Sequence, residues 1–130
     1  MPITYTVDHD RKLITEVWTG DVHGDDLGEY WEHYLQDPEV LKIRRTLVDL
    51  RQAVIHFNAY ELSVLVGNIV FPVLYDKRLK WKTAIVVGNT EQFKASRQYH
   101  ALAKVYSDDA IFETIEQASD WLCGPASPKP

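Results

Sequence analysis

The sequence predicts an α/β domain in which helices pack on a single mixed β-sheet. Leu47 to Leu50 and Thr83 to Val87 are apolar runs of strand length, which is typical of strands buried on both faces. A turn and then a helical spacing of apolar residues follow each run. Ile3 to Thr19 alternates instead like a half-buried hairpin. We therefore expect antiparallel pairing at the start of the sheet and parallel, right-handed crossovers later.

Length and composition predict one soluble domain, residues 1–123, followed by a flexible tail over residues 124–130. The 130 residues include 45% hydrophobic and 25% charged residues, as in an average globular protein. The net charge of −5 gives no electrostatic support for binding nucleic acid. One cysteine, Cys123, offers neither an internal disulfide nor a metal cluster. This usage favours a reducing compartment.

We expect neither a signal peptide nor a membrane-spanning segment. Met1 to Tyr5 lacks the basic and apolar regions of a signal peptide. The most apolar neighbourhood, Leu62 to Tyr75, is too short to span a bilayer. We therefore expect a cytoplasmic protein without stable membrane insertion.

The first elements are a hairpin and an acidic-capped helix. Ile3 to Val7 and Lys12 to Thr19 alternate with period two and should lie at one side of the sheet. Asp25 or Asp26 is predicted to cap the first helix, because acidic residues suit the positive end of its dipole. Asp37-Pro38 should end that helix.

The middle of the chain should hold the central strand. Glu39 to Arg45 is predicted to be a connector, Leu47 to Leu50 the strand, and Gln52 to Asn58 a loop. Asn58 with Glu61 forms a capping-box pattern, which predicts a helix from Tyr60 onward. Pro72 should kink or end that helix.

The last third should alternate strand and helix twice. Thr83 to Val87 is the cleanest strand, and Thr90 is predicted to cap the helix after it. Ala110 to Phe112 is a short strand, Thr114 to Gln117 a capping box, and Gly124-Pro125 the end of the final helix. The stripe predicted to face inward on the helix after Thr90 is Ala95, Tyr99, Leu102 and Tyr106.

This order, ββα-β-α-β-α-β-α, resembles the SpoIIAA-like family. The resemblance covers Ile3 to Leu122 and rests on the element order, the strand end Leu47-Val48-Asp49-Leu50-Arg51 and the closing Ala118-x-x-Trp121-Leu122. The family is related to STAS domains, the anti-sigma-factor antagonist fold, and has been linked to the lipid-binding Sec14 domain. The resemblance implies a STAS/SpoIIAA-like sheet with helices.

Antagonist-type STAS proteins carry a phosphorylatable serine where the helix after the central strand begins. The matching stretch here is His56-Phe57-Asn58-Ala59-Tyr60, and no serine or threonine occurs between Gln52 and Glu61. The first serine is Ser63, inside the helix. We therefore expect a module without that phosphorylation switch.

The end of the central strand is the predicted binding site, because ligands and partners meet open α/β sheets where strands end and helices begin. As an alternative, Asp49 and Arg51 would form a local ion pair that only shapes the loop. The predicted binding residues are Asp49, Arg51, His56, Asn58 and Tyr60.

Leu62 to Tyr75 carries more apolar area than one helix can bury on one sheet face. Deep burial, a self-association surface and the wall of a cavity for an apolar ligand all remain open. Gly67 would allow close backbone approach in the second case. The predicted interface residues are Val66, Ile69, Val70, Phe71 and Leu74.

We predict no catalytic site, metal site or cofactor. The five histidines do not occur at the short spacings of metal ligands, and Asp21, His23, Asp25 and Asp26 are better explained as an acidic loop before a helix. Neither Cys123 nor any serine lies in a nucleophile motif.

These patterns favour a non-enzymatic binding or regulatory module that acts by protein–protein contact. Its partner would be a second copy, giving a homodimer, or a regulatory protein. The alternative is a carrier or sensor of a small apolar, lipid-like ligand, as the Sec14 kinship implies. A carrier should contain a closed apolar cavity of at least roughly 300 Å³.

Overall fold

A computed structural model describes residues 2–75 and 78–124, and it shows one five-stranded mixed sheet covered by helices. The strand order is β1-β2-β3-β4-β5, so the hairpin lies at one edge and β3 is central, as predicted. Within the described part of the chain, β1 and β2 pair antiparallel and the other neighbouring strands pair parallel. The predicted tail lies outside the described residues except for Gly124. The strands are β1 Ile3–Asp8, β2 Leu13–Val22, β3 Arg45–Ile55, β4 Trp81–Val86 and β5 Ser107–Phe112.

Among the described residues, four helical segments are separate from one another, and three more form one continuous helix whose middle part is a π-helical turn. The α3 helix, the π turn and α4 follow one another without a break, and we call them together the α3–α4 helix. The helical segments are α1 Gly24–Tyr34, α2 Pro38–Ile43, α3 Ala59–Leu65, the π turn Val66–Val70, α4 Phe71–Leu74, α5 Thr90–Ala103 and α6 Ile115–Cys123.

Two predicted strand ends and one predicted connector are wrong, and pairing with neighbours extends the two strands. The chain from Gly20 to Val22 continues β2, and much of the predicted loop Gln52 to Asn58 is the last part of β3. The predicted connector Glu39 to Arg45 contains most of α2, which Asp37 caps by accepting a hydrogen bond from the Glu39 N–H at 2.9 Å.

Two predicted caps are displaced from their helix ends. His23 rather than Asp25 or Asp26 is the N-cap of α1, while the Asp26 carboxylate accepts the His23 N–H at 2.9 Å. Asn89 rather than Thr90 caps α5, by accepting a hydrogen bond from a backbone N–H of the first turn. In both helices the capping residue is extended, as an N-cap must be.

Pro72 does not end the helix, contrary to one of the two predicted outcomes. The Phe71 N–H donates to the carbonyl of Val66, five residues back, and the chain remains helical to Leu74. A proline ring clashes with the carbonyl four residues before it in a regular α-helix. The wider π turn that precedes Pro72 relieves this clash, so the helix continues.

Apolar residues fill both sides of the sheet. The larger core lies between the sheet and α1, the α3–α4 helix and α5. On the other side α6 covers a small core, and Ala118 and Leu122 dock there as predicted. The predicted stripe of α5 is only partly right: Ala95, Tyr99 and Leu102 are half-buried, and the fully buried residues of that helix are Gln92, Ser96 and Ala103.

Candidate functional site

The central strand has a bulge at the predicted site. Val17 of β2 faces Asp49 and Thr19 faces Gln52, so three steps along β3 match two along β2. Pairing with β4 ends at Asp49, whereas pairing with β2 continues to Ile55. A bulge re-aims side chains and bends the strand. The ends of β2 and β3 therefore extend beyond β4, toward the first turns of α1 and α3.

Asp49 and Arg51 pair with each other, which is the local alternative that the sequence left open. The Arg51 Nε donates to Asp49 Oδ1 at 2.9 Å, and Nη2 donates to Oδ2 at 3.0 Å. These hydrogen bonds from Arg51 lower the pKa of the Asp49 carboxyl below its usual value. Because the guanidinium and the carboxylate already form hydrogen bonds with each other, the pair shapes the strand end and leaves fewer of its polar atoms to bind a ligand.

His56 belongs to a small polar group on the β2–α1 side. Its Nε2 lies 2.8 Å from Asp21 Oδ1, and its ring stacks on that of His23 with centroids 4.6 Å apart. These side chains are largely solvent-exposed. Exposed pairs of this kind contribute little energy, so the group joins the two strand ends without forming a cleft.

Asn58 and Tyr60 begin α3. Asn58 Oδ1 accepts the Glu61 N–H at 2.8 Å, and the Glu61 carboxylate accepts the Asn58 N–H at 3.0 Å, so the predicted capping box is confirmed. Tyr60 is 75% exposed. The predicted cluster thus divides into an ion pair on the strand, a histidine group and a helix start, and its five side chains do not converge on one pocket.

We expect Asn58→Ala to lower the free energy of unfolding by about 1 kcal/mol, since it leaves the Glu61 N–H without its acceptor. Urea denaturation of the two proteins measures the difference. Asn58→Asp retains an acceptor oxygen and should unfold at a urea concentration close to that of the wild type. Equal destabilisation by both substitutions would show that capping is not the role of Asn58.

The predicted interface residues lie mostly inside. Val66, Val70 and Leu74 are buried in the larger core, while Ile69 and Phe71 are half-buried. For the first three, deep burial in the chain's own core is therefore the explanation of the apolar sequence, and a partner cannot reach them without opening the fold.

The outer side of the same α3–α4 helix carries a second apolar row. Tyr60 is 75% exposed, Val64 39% and Tyr75 53%, and the ring of half-buried Phe71 stacks on that of Tyr75 at 4.6 Å. Gly67 lies between them, and a Cβ placed on it would meet nothing within 4 Å. We call Tyr60, Val64, Gly67, Phe71 and Tyr75 the outer row.

A cavity of about 80 Å³ lies within the larger core. Its walls come from the sheet, α1, the α3–α4 helix and α5. Apolar side chains dominate, but Glu16, Thr46, Thr83 and Ser96 also line it. The volume is well below the roughly 300 Å³ at which ligand pockets begin. A lipid-like ligand does not fit this cavity unless the helices move apart.

Glu16 is the buried acid of that cavity. Its carboxylate oxygens accept hydrogen bonds from Trp18 Nε1 at 2.7 Å and from the Tyr30 hydroxyl at 2.8 Å. Burial raises the pKa of the Glu16 carboxyl above its usual value, against the lowering effect of these two hydrogen bonds. A perturbed acid in an apolar cavity is a candidate for binding.

The alternation along β2 is a sequence signal for Glu16, although Glu16 is not among the predicted site residues. Ile14, Glu16 and Trp18 occupy alternate positions of β2 and so share one face of the sheet. A carboxylate between two large apolar residues on a buried face requires partners, because an unpaired buried charge is costly. Its partner Tyr30 lies on α1, and no local rule connects the two.

The described ranges, 2–75 and 78–124, hold no group of three His, Cys, Asp or Glu side chains placed to bind a metal ion. In the same ranges no helix is both long enough and apolar enough to cross a membrane.

Comparison with solved structures decides the fold. A crystal structure of an uncharacterized protein from the DUF3478 family with a SpoIIAA-like fold, from Shewanella loihica PV-4, matches with a TM-score of 0.61. The match covers 93% of each chain at 18% sequence identity. This chain has a SpoIIAA-like fold. The predicted fold class is thereby confirmed, and at this identity the similarity concerns the SpoIIAA-like fold alone. No family model and no curated protein matches the chain.

Proposed function

We propose that the chain is a non-enzymatic binding module that acts by protein–protein contact, and that the contact joins the outer rows of two copies. The observation that carries this proposal is the exposure of Tyr60, Val64 and Tyr75 on the α3–α4 helix, where half-buried Phe71 stacks on Tyr75. Lone exposed apolar residues are normal on protein surfaces, whereas contiguous ones mark interaction sites. A cytoplasmic location and function without a cofactor or nucleic acid are parts of the same proposal.

The chemistry of the outer row suits a helix-to-helix contact. Tyrosine is enriched at protein interfaces, where it supplies apolar area and one polar end. The open space around Gly67 would let a second helix backbone approach closely. A second copy presents the same row, as a two-fold symmetric contact requires.

The predicted binding residues enter this proposal unequally. Tyr60 is the first member of the outer row, and His56 and Asn58 lie just before it, where they would form the polar rim of the contact. Asp49 and Arg51 would maintain the strand end through their ion pair.

Regulation by phosphorylation at the start of α3 is not part of the proposal. The Ser63 hydroxyl lies within the helix and donates to the carbonyl of Tyr60 at 2.7 Å. The residues from Gln52 to Glu61 include no hydroxyl side chain except that of Tyr60.

The substitution Val64→Glu tests the proposal, because it places a charge in the middle of the outer row. We expect it to weaken self-association by at least about 30-fold, as an unpaired interfacial charge does. Sedimentation equilibrium of wild type and variant measures the association constants.

Val105→Glu is the matched control, since Val105 is 57% exposed and lies outside the α3–α4 helix. It adds the same charge and should change the association constant less than about threefold. Equal effects of the two substitutions, or no effect of Val64→Glu, would contradict the proposed contact surface.

A further inference from the structure

The cavity in the larger core is lined by aromatic rings. They form three tilted pairs with ring centroids 6.3, 6.0 and 6.1 Å apart. Aromatic faces attract cations that lie within about 6 Å of the ring centroid, and several rings around one site form the cages that bind organic ammonium groups. In order, the pairs are Trp18 with Phe57, Trp31 with Tyr99, and Tyr34 with Trp81.

Among the described residues that line the cavity, one is a carboxylic acid and none is a base. Glu16 lines it, and the ion pairs found among the described residues do not include Glu16. Both groups that hold the carboxylate, the Trp18 indole and the Tyr30 hydroxyl, are neutral donors. Each carboxylate oxygen can accept a further hydrogen bond. A buried carboxyl group with only neutral partners either takes up a proton or pairs with a cation, because an isolated buried charge is costly.

We propose that this cavity binds a small organic cation, with a primary ammonium group at Glu16 and its short alkyl chain among the aromatic rings. The ammonium supplies three N–H donors and a positive charge, which Glu16 and the ring faces accept. A neutral molecule of the same shape gains the apolar contacts but neither the ion pair nor the attraction of the ring faces.

The dimensions of the cavity limit the ligand. About 80 Å³ is roughly half of the 150 Å³ cavity that holds benzene in an engineered protein, so only a few non-hydrogen atoms fit. Trp31, Phe57 and Tyr99 are half-buried, so the cavity reaches toward the surface beside α1 and the start of α3. A short alkylammonium such as n-propylammonium matches this space, and longer chains should bind more weakly.

The four tryptophan indoles provide a direct test by ¹H–¹⁵N NMR. Trp18, Trp31 and Trp81 line the cavity, whereas Trp121 lies on α6, where its ring is 5.8 Å from that of Phe112. On titration with n-propylammonium we expect saturable shifts of the first three indole signals and none of Trp121. A ligand of this size should bind with a dissociation constant of about 0.1 to 10 mM.

Two comparisons establish the role of the charge. Titration with n-propanol, the neutral molecule of matching size, should give at least about tenfold weaker binding to the wild type. Glu16→Gln should reduce the affinity for n-propylammonium by at least about tenfold and that for n-propanol by less than about threefold, because the amide oxygen can still accept the hydroxyl. Equal binding of ammonium and alcohol by the wild type would overturn the proposal even if the variant failed to fold. Absence of saturable shifts, or shifts of all four indoles alike, would also overturn it.

Discussion

Gln92→Ala is expected to lower the free energy of unfolding by about 2 to 5 kcal/mol, because two hydrogen bonds inside the fold disappear together. Gln92 is 1% exposed. Its Oε1 accepts the Gly88 N–H at 2.7 Å, and its Nε2 donates to the carbonyl of Ala53 at 2.8 Å. This one side chain therefore joins the first turn of α5 to the end of β4 and to the extension of β3 beyond its bulge.

Gln117 offers a matched control for that substitution. It occupies the same position in α6 that Gln92 occupies in α5, three residues after the N-cap, but it is exposed. Gln117→Ala should change the free energy of unfolding by less than about 0.5 kcal/mol in urea denaturation. If the two variants lost similar stability, the bridging role of Gln92 would be wrong.

The pH dependence of stability should reveal the buried acid of the cavity. Burial raises the pKa of Glu16 above its ordinary value of 4.5. Between that value and the higher pKa of the folded state, the folded protein holds more protons than the unfolded chain. The contribution of Glu16 to the free energy of unfolding is therefore fully present below pH 4.5 and falls as the pH rises toward the folded-state pKa. The fall is about 1.4 kcal/mol for each unit of pKa shift.

Glu16→Gln isolates this contribution from those of other acids. The amide can accept from Trp18 and donate to the oxygen of the Tyr30 hydroxyl, so both hydrogen bonds can persist without a titrating group. Asp37 and Asp49, whose pKa values are lowered, act in the opposite direction in both proteins and cancel in the comparison. Urea denaturation from pH 4 to 8 should show the wild type losing stability relative to the variant. A constant difference across this range would exclude a raised pKa for Glu16.

Local rules predicted the parts of the fold that depend on neighbouring residues. The apolar runs identified β3 and β4, the alternation identified the edge hairpin, and Asn58 with Glu61 identified the start of α3. Adjacent polar residues made the caps of α1 and α5 ambiguous, because Asn89 and Thr90 are both good caps. The last residues of β3 were predicted as loop because their pairing with β2 across the bulge has no signature in one strand.

The sites depend on contacts that sequence spacing cannot show. The apolar excess of Leu62 to Tyr75 was recognised, but its division between core and surface follows from the helix orientation and the π turn. Glu16 and Tyr30 meet only because α1 packs on the sheet beside β2, and Gln92 of α5 reaches the carbonyl of Ala53 only because the fold places β3 beside that helix. For Glu16 and Gln92 alike, the sequence signal is a polar side chain on a buried face.

Native mass spectrometry of the wild-type protein over about a hundredfold range of concentration tests the proposed function most directly. Association through the outer row predicts a species of twice the 15.0 kDa monomer mass that dissociates on dilution and is lost in Val64→Glu. A monomer at every concentration would contradict the proposed contact between two copies.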